Sequence, residues 1–467
     1  MPLPNTMNLL VLGQGTSGQD VVRWALAHPE RVSQVTLYGG AKSSPTPETL
    51  EFEAAGVTCV YATEEVAGSY DVCVASPGIS EFSPFFASAS AHATQIMGEP
   101  EFSFRLSPER WIGITGTNGK TTTTALTAHL LESAGMDADA VGNIGDAPVS
   151  RIDHRAPGSW FVAELSSYQL ATSSELHPHA AVLLNITPDH LSWHRSHEAY
   201  ARAKCRMFRN MGMDDLAVVN VEDEGVCDVR AIIDDGSRRV LELGLADSGA
   251  RDAAFVRDGM LTVRLAGTET ALVTIDELKI AGAHNVQNAL AAASLALFCG
   301  ADAASIASGL RDFGALPHRI EPVGEVRGVR FYNDSKATNT DAVEKALTAF
   351  PSDRVVLLAG GRDKGTPLEE FARTVMSSTV HAIVCFGEAR ERFLEAFRDA
   401  EGSSEVDLAE ADGLIDAVDV ARTLADAGDV VLLSPACASF DEFSGFEERG
   451  DRFRSYVAEL AAAEDAR

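Results

Sequence analysis

The run Gly113-Ile114-Thr115-Gly116-Thr117-Asn118-Gly119-Lys120-Thr121-Thr122 carries the clearest chemistry in this chain. Glycines at this spacing let backbone N–H groups close around phosphate oxygens, and a helix starting just after them adds its positive end. Lys120 supplies a point charge for β- and γ-phosphates, and Thr121 a hydroxyl ligand for Mg2+. Position 114 is Ile, so the run is not a strict GxxxxGK[ST] motif.

Other residues fall where such a loop needs them. Glu164 ends an apolar strand-like run, and a carboxylate there can hold Mg2+. His190 follows a second apolar run and could be a ligand or a substrate contact, although by itself such a histidine is more often a structural hydrogen-bonder. Lys204 lies in the helical stretch Tyr200-Ala201-Arg202-Ala203-Lys204-Cys205 and, from its neighbours alone, reads as an ordinary surface lysine. Late in the chain three polar clusters each follow a strand-like run: Asn333 to Thr340, Gly360 to Gly365, and Ser434 to Ser439. Ligand crevices of open α/β sheets lie at the carboxyl ends of strands, so three such clusters argue for a site.

These residues need strands and helices in alternation to hold them. Apolar strand-like runs fall at 9–12, 35–38, 58–61 and 72–75, then at 111–115, 160–165 and 180–186. A helical pattern spans 120–135, an amphipathic helix 198–213, a β-rich stretch 240–280 and a further helix 284–299. More strands follow at 329–332, 354–358, 382–386 and 430–433. The alternation predicts an α/β chain. Boundaries near 100 and 315 divide it into 1–100, 101–315 and 316–467.

Gly13-x-Gly15-x-x-Gly18 follows the first strand, as in dinucleotide folds. Such a site wants an acid about 20 residues on, at the end of the second strand. That strand ends Tyr38-Gly39-Gly40, which argues against a nicotinamide cofactor.

Composition narrows the class. The chain has 467 residues, 45% hydrophobic and 23% charged, which excludes collagen-like, disulfide-scaffold and wholly disordered chains. Lys and Arg number 38 against 68 Asp and Glu, a net charge of −30. Nucleic acid and anionic membranes meet that field unfavourably. The seven cysteines show no CxxC pairing, which fits reduced thiols. The first basic residue is Arg23, and the longest helical apolar run, 289–299, is far below a membrane span. The expectation is a soluble cytoplasmic protein.

Several motifs together resemble the Mur ligases of peptidoglycan precursor synthesis. They are Gly116 to Thr121, Glu164-Leu165-Ser166-Ser167-Tyr168-Gln169-Leu170 and His284-Asn285. Asn333-Asp334-Ser335-Lys336-Ala337-Thr338-Asn339, Ser434 to Asp441 and Phe446-Glu447-Glu448-Arg449-Gly450 resemble the D-glutamate-adding branch of that family. The resemblance implies three domains: a Rossmann-like one binding a UDP-substrate, a central P-loop ATPase-type one, and a Rossmann-like one binding the amino acid and closing on ATP. It implies ATP-dependent ligation of D-glutamate to UDP-N-acetylmuramoyl-L-alanine through an acyl phosphate, with two Mg2+ ions; a monomer is the expectation for the chain.

By the same resemblance Gly116, Thr117, Asn118, Gly119, Lys120, Thr121, Thr122, Asn285, Asn288, Arg319 and Asp334 line the ATP site. Thr121 and Glu164 hold metal, and His190 with a carbamylated Lys204 holds the second ion. Lys120, Glu164, His190 and Lys204 are the catalytic set. Gly15, Thr16, Ser17, Gly78 and Asn143 contact the UDP-substrate. Lys336, Thr338, Lys364, Ser439, Phe440 and Phe446 receive D-glutamate. The family commonly carries an acidic or hydroxyl cluster after the second strand, where this chain has Tyr38-Gly39-Gly40-Ala41. Rival readings are a sibling amide ligase, a dinucleotide oxidoreductase and a non-catalytic nucleotide switch. The Asp-Asn-Pro-Arg motif of the diamino-acid-adding sibling is absent from the sequence.

Overall fold

The computed structural model describes residues 2–187, 191–280, 282–314, 316–362, 365–400 and 406–465. The strands of these residues form three sheets.

The first holds β1 (Met7–Leu12), β2 (Val32–Tyr38), β3 (Thr58–Val60), β4 (Tyr70–Ala75) and β5 (Ala93–Gly98). Its order is β3-β2-β1-β4-β5, all parallel. The strands read as unbroken apolar runs because both faces are covered. Met7, Leu9 and Val11 enter one core cluster, while Leu10 and Leu12 enter another.

The second sheet holds β6 (Trp111–Thr115), β7 (Ala138–Gly142), β8 (Trp160–Glu164), β9 (Ala180–Leu183) and β10 (Leu216–Asn220). It continues with β11 (Arg239–Leu243), β12 (Ala253–Arg257), β13 (Met260–Leu265) and β14 (Thr268–Thr274). The order β14-β13-β12-β11-β10-β9-β6-β8-β7 puts β6 between β8 and β9, and only the β12-β13-β14 pairings are antiparallel.

The third sheet holds β15 (Glu321–Val326), β16 (Val329–Asn333), β17 (Val355–Gly360), β18 (Val380–Phe386), β19 (Asp407–Ala411) and β20 (Val430–Ala436). Its order is β15-β16-β20-β17-β18-β19, parallel apart from the β15–β16 pair. Val430 and Leu432 pack on one face, Val431 and Leu433 on the other. The α/β class with three sheets is as expected.

The chain forms two compact units. Residues 1–277 with 287–312 contain the first two sheets, and residues 278–286 with 313–467 contain the third. No helix of the described residues is long and apolar enough to cross a membrane.

One helix is shorter than its pattern. The 198–213 periodicity resolves into a helix His197–Cys205 and a 3-10 turn Arg206–Phe208. Asn210 Nδ2 donates to the carbonyls of Ser174 and Leu176, both at 2.9 Å, and takes the chain off the helix axis. Strands β5, β7, β15 and β19 are edge strands without the long apolar runs that mark buried ones.

Candidate functional site

In the first unit the phosphate-type loop leaves the carboxyl end of β6 and enters the helix Lys120–Ser133. Its neighbours are the carboxyl ends of β8 and β9, so Glu164 and Asn185 flank it. Asn185 shapes the loop. Its Oδ1 accepts from the N–H groups of Thr117 (3.0 Å) and Asn118 (2.7 Å), and its Nδ2 donates to the Asn118 carbonyl. Gly119 has a φ of +81°, and a Cβ there would stand 2.5 Å from Asn288 Oδ1. Only glycine allows Asn288 to pack this close. Thr123 Oγ1 donates to the same Asn288 oxygen, so the expected nucleotide residue Asn288 lies against the loop.

Lys120 Nζ donates to the carbonyls of Gly116 (3.0 Å) and Thr117 (2.9 Å), which keeps the ammonium on the loop. Thr121 and Thr122 are buried in the first helical turn.

Lys204 is not a surface lysine. It is 1% exposed, and its Nζ donates to the Gly116 carbonyl at 2.7 Å. The i, i+4 spacing puts Tyr200 on the same helix face, with Nζ 4.4 Å from its ring centroid. Tyr200 in turn shares a 2.9 Å hydrogen bond with Thr117 Oγ1. Burial of an amine this polar needs a carbonyl or an anionic partner, and a helix-only pattern carries no sign of it.

Glu164 is 2% exposed. Its Oε1 accepts from Asn143 Nδ2 at 3.1 Å, while Oε2 is buried without a hydrogen-bond partner. Gly142, at φ +102°, brings Asn143 here; a Cβ on it would stand 2.4 Å from the Glu164 carbonyl. A buried carboxylate oxygen without a donor is the arrangement a hard cation satisfies. His190 and Lys364, both expected site residues, lie outside the described residues.

Gly15, Thr16 and Ser17 stand at the start of the helix Thr16–Ala27, with no side chain capping its first turn. Order β2-β1-β4 makes the β1/β4 boundary the switch point of the first sheet, where Gly78 also lies on the loop after β4. After β2 a hydroxyl does appear. Ser43 Oγ donates to the Gly40 carbonyl and accepts from Ala62 N–H, which ties that turn to itself.

In the second unit the three polar clusters follow β16, β17 and β20, which are adjacent in the sheet. Arg449 joins two of them. It is 1% exposed and donates to the carbonyls of Ser335 (2.7 Å), Cys437 (3.1 Å) and Ala438 (3.3 Å) and to Ser335 Oγ (2.9 Å). Burial pulls its pKa down to about 10. Asp334 accepts from Ser434 Oγ at 2.7 Å; burial pushes its carboxyl up to about 7, against the pull of Ser434 and Arg319. Asn333 Nδ2 reaches Glu321 Oε2 and the Gly450 carbonyl, and stands 3.0 Å from His318 Nδ1. Lys336 Nζ sits 5.1 Å above the Phe446 ring, so two expected amino-acid contacts meet. Ser439 is buried beside Phe440, which is 62% exposed. Thr338 N–H donates to the Lys336 carbonyl. Burial lowers His284 to about 4, helped by Lys345 and Arg319, and Asn285 follows it in the helix Ala283–Phe298.

The sequence reading assigned no role to Asn185, Tyr200 or Arg449. Asn185 is the penultimate residue of the 180–186 run and Arg449 stands in the run 446–450, but their partners are 67 and 114 residues away.

Two family models match the chain. Residues 114–296 match the Mur ligase middle domain and residues 318–437 the Mur ligase glutamate ligase domain. A UDP-N-acetylmuramoylalanine–D-glutamate ligase of Pelotomaculum thermopropionicum is 39% identical over 454 residues, covering 97% of each chain. The enzyme so named from Geobacillus kaustophilus is 37% identical over 455 residues, again 97% of each. Among solved structures, the UDP-N-acetylmuramate–alanine ligase MurC of Thermotoga maritima superposes with a TM-score of 0.58 at 18% identity, covering 97% of this chain and 99% of that one. Folylpolyglutamate synthase of Mycobacterium tuberculosis gives 0.59 at 16% identity, covering 76% and 94%.

Proposed function

The chain belongs to the Mur ligase family, and from that premise we propose that it joins D-glutamate to UDP-N-acetylmuramoyl-L-alanine, with ATP cleaved to ADP and phosphate, in cytoplasmic peptidoglycan precursor synthesis. The observation that carries the reading is the phosphate loop held between Glu164, with its unpartnered Oε2, and the buried Lys204.

A carboxylate is a poor electrophile, so it must first be activated. Transfer of the γ-phosphoryl group to the L-alanine carboxylate gives an acyl phosphate and ADP. Two anions meet in that step. Lys120 and the loop N–H groups offset part of their charge, and Asn185 keeps those groups in place. Thr121 and Glu164 would hold one Mg2+, His190 and a carbamylated Lys204 the other. Bound Mg2+ supplies charge neutralisation and orientation of the phosphate oxygens. Carbamylation adds CO2 to the neutral Lys204 amine and releases a proton, turning a cation into an oxygen donor suited to a hard ion.

The amine of D-glutamate then attacks the acyl carbon. A C–N bond forms, the amine loses a proton and phosphate leaves. D-glutamate brings two carboxylates, for which Lys336, Lys364, Thr338 and Ser439 are the cationic and hydroxyl partners, with Phe440 and Phe446 beside them. Asn285, Asn288, Arg319 and Asp334 serve the nucleotide. Gly15, Thr16, Ser17, Gly78 and Asn143 serve the UDP-substrate, where the uncapped N–H groups of the helix Thr16–Ala27 suit a diphosphate.

The test is phosphate release from ATP with UDP-N-acetylmuramoyl-L-alanine across a panel of D- and L-amino acids. Release that needs both the UDP-substrate and D-glutamate is expected. Release with another amino acid would move the substrate to a sibling ligase. Release that depends on neither would end the ligase reading.

A further inference from the structure

The turn after β4 carries Gly78 and then reaches the helix that carries Lys204. Residues 76–83 brace one another. The Ile79 N–H donates to the Ser76 carbonyl at 3.0 Å, the Ser83 N–H to the Ser80 carbonyl at 2.9 Å, and the Phe82 N–H to Ser80 Oγ at 3.3 Å. The root of the turn joins the glycine turn after β1. Ser76 N–H donates to the Leu12 carbonyl at 2.9 Å, and Ser76 Oγ to the Gly13 carbonyl at 3.5 Å. The backbone that leads into Gly15, Thr16 and Ser17 is therefore tied to this turn.

The tip of the turn meets two arginines that bracket the nine-residue helix His197–Cys205. Arg206 follows Cys205 and faces the Glu81 carboxylate with both terminal nitrogens. Its Nη1 is 3.4 Å from Oε2, and its Nη2 is 3.3 Å from each oxygen. Arg195 stands just ahead of the N-cap Ser196. It donates from Nη2 to the Phe82 carbonyl at 3.2 Å, and its guanidinium lies 4.6 Å from the Phe82 ring centroid. Two adjacent residues of one turn thus hold both ends of one helix, across 125 and 113 residues of chain.

The pairs are only partly buried, and Phe82 is 42% exposed. Contacts this exposed add little to stability. What they fix is the placement of the helix. The face of that helix toward the phosphate loop carries Lys204, on the Gly116 carbonyl, and Tyr200, on Thr117 Oγ1. A continuous set of contacts therefore runs from the Gly13 turn through Glu81 and Arg206 to Lys204, all within the first unit.

We propose that Glu81 and Phe82, with Arg206 and Arg195, are positioning residues that couple binding of the UDP-substrate to the placement of Lys204 beside the phosphate loop. The inference rests on the UDP-substrate and ATP assignments proposed above. Substrate on Gly78 and the Gly15–Ser17 turn holds the 79–83 tip, and the tip holds the helix. By linkage the nucleotide must act back on the UDP-substrate to the same extent.

The test is calorimetric titration of the full chain with UDP-N-acetylmuramoyl-L-alanine, alone and with a saturating non-hydrolysable Mg-ATP analogue. The analogue should tighten UDP-substrate binding about fivefold, at the low end of ordinary coupling. In Arg206→Gln and in Glu81→Gln each ligand should bind alone within about twofold of the parent, while the coupling disappears. Exchanging the charges, Glu81→Arg with Arg206→Glu, should restore it. Arg202→Gln is the control, because its partner Glu198 lies on the same helix and neither touches the turn; coupling should persist there. Binding of both ligands without coupling in the parent, or coupling that survives in Arg206→Gln, would overturn the proposal and leave the ligase reading standing. Failure of the UDP-substrate to bind at all would end both.

Discussion

Asn185 and Asn118 are joined in both directions: the Asn118 N–H donates to Asn185 Oδ1 at 2.7 Å, and Asn185 Nδ2 donates to the Asn118 carbonyl at 3.1 Å. The strand beside the phosphate loop thereby sets the direction of the loop's own N–H groups. Asn185→Ala removes both bonds and the one to Thr117. About 2 kcal/mol of lost positioning corresponds to roughly a 30-fold fall in kcat/KM for ATP. Steady-state kinetics with ATP varied will check it; a fall confined to D-glutamate would contradict this role.

Lys204 is the next test. On the proposed carbamate role, Lys204→Ala should lower kcat on the order of a hundredfold. Acetate or formate added at millimolar levels should restore part of the activity if the missing group is a carbamate oxygen. Full activity without rescue would remove Lys204 from the mechanism.

Arg449 holds the Ser335 and Cys437-Ala438 segments through its planar fork. Lysine carries its charge at one point and cannot reach all of these carbonyls. Arg449→Lys should cost about 2–3 kcal/mol of stability in urea unfolding. It should also raise KM for D-glutamate more than KM for ATP. Equal effects on both substrates would show a general loss of fold instead.

Glu99 tests the electrostatics of the fold. It is buried, accepts from Val149 N–H and Ser103 Oγ, and burial pushes it up to about 7 from an ordinary 4.5. Between those values the folded state holds a proton that the unfolded state has lost. Stability therefore falls as pH rises through that window, by on the order of 3 kcal/mol, and this contribution is flat above it. Glu99→Gln keeps the acceptor and removes the titration. Urea midpoints at pH 5 and pH 8 should lie closer together in the variant than in the parent; an unchanged gap would clear Glu99.

The α/β class, the phosphate loop and the polar clusters after strands were legible in the sequence because they are local. A buried parallel strand is an unbroken apolar run, as in Leu9 to Leu12, and the phosphate loop is one short run in which Gly113, Gly116 and Gly119 precede Lys120 and Thr121. What only the tertiary structure decided is long-range. Strand order places Asn185 and Glu164 on either side of one loop. Helix packing buries Lys204, whose neighbours in sequence resemble any surface helix. Chain closure in the second unit puts Arg449 against Ser335, 114 residues away. Such partners leave no periodicity in sequence, because each contact is made by crossovers that bring distant strand ends together.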